Sequence, residues 1–143
     1  MLFEIEPLRG VGPLRLGSTP DEAYEALGTL GLPPLWMCLG GHYSVVRDSG
    51  LGISPRTRTG ELEAVYLEGP PESGSGDTVT YRRIDLFAAP YQQVVDALRK
   101  HTTVVEDDHA FIAPELELML TLSWDDPDPD TFERVILSLP DPG

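Results

Sequence analysis

The chain has 143 residues, 41% of them hydrophobic and 24% charged, proportions typical of one folded globular domain and not of a disordered or coiled-coil protein. Acidic residues number 24 against 10 basic ones, for a formal net charge of −14, so nucleic acids and anionic membranes would be repelled and a basic partner attracted. The single cysteine, Cys38, excludes an internal disulfide and a zinc site built from several cysteines.

Targeting and membrane signals are not visible in the sequence. No stretch approaches the roughly 20 apolar residues that span a bilayer. Residues 1–6 lack the basic start and the apolar run of a secretory signal. We therefore expect a single cytoplasmic domain over residues 1–143 with no membrane partner.

The first predicted helix begins near Thr19. This residue is a good N-cap, Pro20 suits the first helical position, and Asp21 and Glu22 suit the first turn, where the helix dipole favours acids. Short strands then follow, separated by glycine, proline and serine, at residues 43–46, 51–53 and 61–67. The composition of residues 69–77, rich in proline, glycine and serine, predicts a flexible linker that buries nothing.

The second half echoes the first. The apolar alternation, turn, proline and helix of residues 14–27 recur in residues 84–98 at an offset of about 70. The second helix has only Pro90 as a start signal, because Ala89 is a poor cap. We therefore predict two internal repeats, at about residues 1–70 and 78–143.

Four strands are predicted after the second helix. Residues 104–106 and 109–112 form a pair joined through Asp107 and Asp108. Residues 115–124 alternate strictly and would place Trp124 and four leucines on one buried face, with residues 132–139 as the partner strand. Residues 125–130, rich in aspartate and proline, read as a turn outside the sheet.

This order of elements predicts an α+β fold made of two tandem helix-plus-antiparallel-sheet repeats. The strands could also join into one continuous sheet with the helices on one face. The sequence leaves these alternatives open.

Catalytic motifs are not apparent. There is no nucleophile elbow, phosphate loop, zinc-protease helix or dinucleotide fingerprint. Cys38 lies in an apolar run, and His101 follows the second helix, where a cation suits the dipole. His109 beside Asp107 and Asp108 is the remaining candidate for a metal ligand or a base. The aspartates at 126, 128 and 130 resemble calcium ligands, but Thr131 and Leu137 replace the required glycine and glutamate.

The surface offers a different reading. The face opposite the leucines of residues 115–124 would carry Glu115, Glu117, Met119, Thr121 and Ser123. The partner strand would add Arg134, Ile136 and Ser138 beside them. Apolar anchors ringed by acids suit a basic protein, since charge speeds encounter and buried side chains hold the complex. The predicted partner-binding residues are Glu115, Glu117, Met119, Asp125, Asp126, Ile136, Trp36, Tyr43 and Tyr66.

The segment 12–28, Gly-Pro-Leu-Arg-Leu-Gly-Ser-Thr-Pro-Asp-Glu-Ala-Tyr-Glu-Ala-Leu-Gly, resembles the opening of small bacterial proteins similar to the immunity proteins of toxin systems. Residues 84–87, 90–98, 107–108 and 115–124 match the order of elements in their second half. The helix-plus-sheet repeat is also similar to the β-lactamase inhibitor protein family, whose members carry disulfides, and to small outer-membrane assembly lipoproteins. The resemblance implies a protein-binding role and carries over no catalytic residue.

We therefore expect a non-enzymatic, acidic, immunity-type inhibitor that occludes a basic protein such as a toxin and needs no cofactor. The alternatives are a small-molecule or metal binding domain between the repeats, an enzyme using His109 with Asp107 or Asp108, and a solitary housekeeping domain whose acidity maintains solubility.

Overall fold

The structure is a computed structural model that describes residues 1–30, 35–37 and 42–140, with only the backbone described at 35–37 and 42–44. Two α-helices are described, Pro20–Gly28 (α1) and Tyr91–Arg99 (α2). The described strands are Leu2–Glu6 (β1), Gly10–Val11 (β2), Leu14–Arg15 (β3), Leu35–Met37 (β4), His42–Val46 (β5), Gly52–Arg58 (β6), Glu61–Glu68 (β7), Thr78–Tyr81 (β8), Ile84–Asp85 (β9), Val105–Asp107 (β10), Ala110–Ala113 (β11), Leu118–Thr121 (β12) and Arg134–Ser138 (β13). With nine residues each, neither helix of this described part could cross a bilayer.

The strands form two sheets. The larger one has eight antiparallel strands in the order β10-β11-β12-β13-β7-β6-β5-β4, so four strands from each half of the chain meet where β13 pairs with β7. The smaller sheet has the order β3-β2-β1-β8-β9, in which β1 and β8 are parallel. The α+β prediction is confirmed. Strands of both halves join in the larger sheet, but β1, β2, β3, β8 and β9 form a second sheet, so the strands do not make one continuous sheet. A duplication of the two halves stays a prediction.

One face of the eight-stranded sheet forms the core. The inward residues of the central strands, such as Val65, Leu67, Leu120 and Val135, are fully buried. They belong to one apolar cluster with the buried residues of both helices, including Leu27 of α1, and with residues of the small sheet. Burial of this face drives the packing of helices against sheet.

Helix α1 starts as predicted. The Thr19 hydroxyl accepts a hydrogen bond from the Glu22 amide at 3.2 Å, and the Glu22 carboxylate accepts one from the Thr19 amide at 3.0 Å. This is a capping box, which satisfies two amides that a helix start leaves free. Helix α2 has no side-chain cap, and the Tyr91 amide instead donates to the Asp130 carbonyl at 2.8 Å.

The strand predicted over residues 115–124 is wrong in its extent. A 3-10 helix occupies Pro114–Leu116, and Glu117 follows it with a φ of 49°, in the left-handed region. The strand β12 therefore starts only at Leu118 and ends at Thr121. The alternation of apolar and polar residues correctly indicated that Leu118, Leu120 and Leu122 are buried. It gave no sign that the backbone leaves the extended conformation before Leu118.

The prediction that residues 69–77 bury nothing is also wrong. Asp77 at the end of this segment is only 8% exposed. Its carboxylate accepts hydrogen bonds from Arg47 Nε at 2.7 Å and Nη2 at 3.1 Å, from Ser49 Oγ at 2.6 Å, and from the Met1 amine at 3.1 Å. The hydrogen bonds from Arg47, with the help of Ser49, hold the pKa of Asp77 far below its usual range despite burial. This network ties the connection to the turn after β5.

Candidate partner-binding surfaces

The acidic residues predicted to form one surface lie in two places. Glu115 is in the 3-10 helix and Glu117 precedes β12, whereas Asp125 and Asp126 follow its far end in the loop to β13. Glu115 is therefore not part of the strand face on which it was predicted. The single acid-ringed sheet face is a wrong prediction, because the expected strand was longer than the real one.

One cluster does form, at the far end of β12. We call it the acidic corner and define it by His109 and Trp124 with the surrounding aspartates, Asp107, Asp108, Asp125, Asp126 and Asp128. The Leu122 amide donates to the His109 carbonyl at 2.8 Å, which holds the β12–β13 loop against the β10–β11 turn. Two acidic turns that are distant in sequence thus become neighbours.

Trp124 is the apolar centre of the acidic corner. Its side chain is 69% exposed, the largest exposure among the big hydrophobic side chains described. The indole stacks on the His109 imidazole with 4.1 Å between ring centroids and 28° between planes. The sequence predicted this residue inward. It lies outside the core because the strand ends at Thr121, before the alternation of residues 115–124 does.

The loop that carries Trp124 is anchored on both sides. Leu122 and Phe132 are buried, and Phe132 packs edge-on against Tyr91 and Phe111 with centroids 6.0 and 5.6 Å apart. The Glu133 amide donates to the Thr121 carbonyl at 2.9 Å and closes the base of the loop. An anchored loop presents its side chains with little further loss of conformational freedom on binding.

The aspartates of the corner carry unneutralised charge. Within the described ranges, Asp125, Asp126 and Asp128 form no ion pair with a lysine or arginine. Among the described residues, the one charged partner of Asp108 is the ring of His109, with 3.1 Å between Oδ1 and Nδ1. The corner is therefore a source of negative potential around an exposed indole.

His109 has one carboxylate neighbour and one aromatic neighbour. Among residues 1–30, 35–37 and 42–140, no three histidine, cysteine, aspartate or glutamate side chains converge as a metal site. The predicted roles of His109 as a ligand or base thus gain no supporting group from the geometry. Its visible role is to hold the indole of Trp124.

Met119 and Ile136 lie on the second surface, the outer side of the eight-stranded sheet. They are direct cross-strand neighbours, and the same row continues to Tyr66 on one side and Ile112 on the other. All four side chains are half-buried, and Val105 at the end of the row is 48% exposed. We call this outer side, centred on that row, the open face.

The centre of the open face carries two arginines beside Glu68 and Glu117, and not the predicted ring of acids. The Arg56 guanidinium lies 4.7 Å from the centroid of the Tyr66 ring, and that of Arg134 lies 6.0 Å from it. Arg134 pairs with Glu68 at 3.2 Å, while Arg56 has no carboxylate partner among the described residues. The Nε atoms of both arginines are buried without a hydrogen-bond acceptor in the described part of the chain.

The remaining predicted anchors are Trp36 and Tyr43. They pair across β4 and β5 at the edge of the large sheet, and their side chains lie outside the described residues, as does Cys38. The sequence placed Arg134 beside Ile136 on this face, as the structure does, but it missed Arg56 and the contact of both arginines with Tyr66. The only signal was their position on the same strand face as Tyr66 and Ile136, which depends on knowing that β13 pairs with β7.

Comparison of the chain with protein-family models, with curated proteins and with solved structures found no match. The function of this chain is therefore inferred from the acidic corner and the open face.

Proposed function

We propose that this chain is a non-enzymatic protein-binding module whose acidic corner holds a basic protein, as an immunity-type inhibitor occluding a toxin would. The observation that carries the proposal is Trp124, which is 69% exposed and held in place by His109 amid unpaired aspartates. Tryptophan is prominent among the residues that dominate the binding energy of protein interfaces.

The negative charge of the acidic corner indicates a basic partner. Aspartates around an indole attract lysine and arginine and speed the encounter, while the indole fills a pocket and slows dissociation. Inhibition would follow from occlusion, because basic groups of the partner would pair with Asp125 and Asp126 and no longer with its own substrate. The proposal includes a cytoplasmic location, no nucleic-acid partner and no cofactor.

The test compares variants as bait in a lysate of the source cells. Trp124→Ala and the double reversal Asp125→Lys with Asp126→Lys should lose the same protein that the wild-type chain retains. Glu4→Lys with Glu25→Lys is the matched control, since both residues are exposed, lie outside the corner, and change the net charge equally.

The retained protein is then purified for kinetics. The double reversal should slow association by about tenfold and flatten its dependence on salt, while Trp124→Ala should chiefly speed dissociation. The partner should be basic, and any activity it has should fall on binding. Equal retention by the corner variants and the wild-type chain, or an acidic partner, contradicts the proposal.

A further inference from the structure

We propose that the open face is the contact between two copies of this chain. The proposed contact is independent of the proposed function, because the residues that carry it, Tyr66, Arg56, Arg134, Glu68 and Glu117, are not members of the acidic corner. Four of the strands, β12, β13, β7 and β6, bring the charges together, and an apolar row extends from β7 to β10.

The first step is the apolar row. Tyr66, Ile136, Met119, Ile112 and Val105 are in register on five neighbouring strands, so they form an uninterrupted apolar band on a face whose opposite side is already the core. A cleft of about 180 Å³ opens beside the band and is lined in part by Glu117, Met119 and Ile136. Two such sheets can pack face to face, about 10 Å apart.

The second step is the pair of arginines. Arg56 has no carboxylate partner among the described residues, and the Arg134 side chain is 42% exposed beside Glu68. Stacking on Tyr66 holds both guanidiniums near the middle of the face. The face therefore suits an occupant that brings carboxylates to these positions.

The same face also supplies carboxylates, at positions that a two-fold rotation brings opposite the arginines. In the proposed dimer, the two-fold axis lies between the two facing sheets, parallel to the strands and midway between β13 and β7. It exchanges Ile136 with Tyr66 and Arg134 with Glu68, which are cross-strand neighbours in this pair.

One strand further out, the axis exchanges Arg56 on β6 with Glu117 at the start of β12. Arg56 is in register with Ala64, Ala64 with Ser138, and the Ser138 amide donates to the Glu117 carbonyl at 3.1 Å. Arg134 and Arg56 would thus each meet a carboxylate of the second copy, as the self-complementarity of an isologous interface requires.

Within one chain, Arg56 and Glu117 are three strand spacings apart, about 14 Å, and cannot pair. This separation makes a charge swap informative. Arg56→Glu and Glu117→Arg should each weaken self-association by about tenfold or more, because each variant places like charges opposite each other in its own dimer. An equimolar mixture of the two variants should recover the dimer, since both contacts are then between opposite charges.

The measurement is sedimentation equilibrium of the full chain from about 1 to about 500 µM protein, in about 0.15 M salt, where charges beyond roughly 8 Å are screened. The wild-type chain should pass from 15.7 kDa to twice that mass. Arg9→Glu and Glu4→Arg, both exposed and off the open face, should associate like the wild type. Circular dichroism checks that each variant is folded.

Hydroxyl-radical footprinting of the wild-type chain needs no variant. Oxidation of Met119 and Tyr66 should fall as concentration rises, while that of Trp124 should not. A wild-type chain that stays monomeric over the whole range overturns the proposal. So does a dimer that persists in both single variants, a mixture that fails to recover it, or Met119 oxidation independent of concentration. If Trp124→Ala loses partner capture but keeps the dimer, the result supports the acidic corner as the partner site and the open face as the dimer contact, each by its own measurement.

Discussion

The carboxylate of Asp77 and those of the acidic corner are the same chemical group in opposite environments. Asp77 is nearly buried and accepts hydrogen bonds from Arg47 and Ser49, whereas Asp125 and Asp126 are exposed and have no basic partner among the described residues. Asp77 links the connection between the halves to the turn after β5, whereas the carboxylates of Asp125 and Asp126 form no ion pair with another described segment. A paired, buried charge serves the fold, and an unpaired, exposed one is free to serve binding.

The sharpest test of this contrast is Asp77→Asn. The amide can keep some hydrogen bonds but leaves the Arg47 guanidinium, itself mostly buried, without its counter-charge. We expect the free energy of unfolding to fall by about 2–4 kcal/mol, measured by urea denaturation. Asp48→Asn, an exposed residue of the same turn, should change it by less than about 0.5 kcal/mol. Similar losses of unfolding free energy in Asp77→Asn and Asp48→Asn would mean that the buried ion pair of Asp77 has no special role in stability.

Low pH should reduce the difference in unfolding free energy between the wild-type chain and Asp77→Asn. Because the pKa of Asp77 in the folded state is lowered, the unfolded chain binds this proton more readily, and the stabilisation is complete only above the unfolded pKa of about 3.9. As pH falls below about 4, the unfolding free energies of the wild type and Asp77→Asn should converge. A constant difference between pH 7 and about pH 3 would mean that the Asp77 charge does not stabilise the fold.

The carboxylate of Glu22 is intermediate between that of Asp77 and those of the acidic corner, because it is exposed but hydrogen-bonded in the capping box of α1. Its hydrogen bonds with the backbone and hydroxyl of Thr19 lower its pKa. Thr19→Ala removes one half of the box and should cost about 1 kcal/mol, measured by thermal and urea unfolding. Thr103→Ala, at an exposed threonine outside the helices and strands, is the control. Equal losses in the two variants would argue against a capping contribution.

The smallest effect on stability is expected in the corner. Asp125→Asn with Asp126→Asn should leave the unfolding free energy within about 0.5 kcal/mol of the wild type, or raise it slightly by relieving repulsion. The same variant should weaken capture of the basic partner. A loss of stability comparable to that of Asp77→Asn would show that the corner serves the fold.

Local signals predicted local structure well. The cap at Thr19, the turn at residues 125–130 and the alternation of Val135 and Leu137 act over a few residues, and the structure contains each of them. Alternation failed at Glu117, where a single left-handed residue ends the extended chain. Composition failed at Asp77, because its partners come from residues some 30 positions earlier.

The sequence by itself determined an acidic α+β domain with a capped first helix and antiparallel hairpins, since charge, caps and alternation are encoded by neighbouring residues. Only the tertiary structure decided that β13 pairs with β7, that two arginines flank Tyr66 on the open face, and that Trp124 stands exposed on His109. These arrangements depend on contacts between residues far apart in the chain. Their energy comes from burying a shared core, which local patterns do not specify.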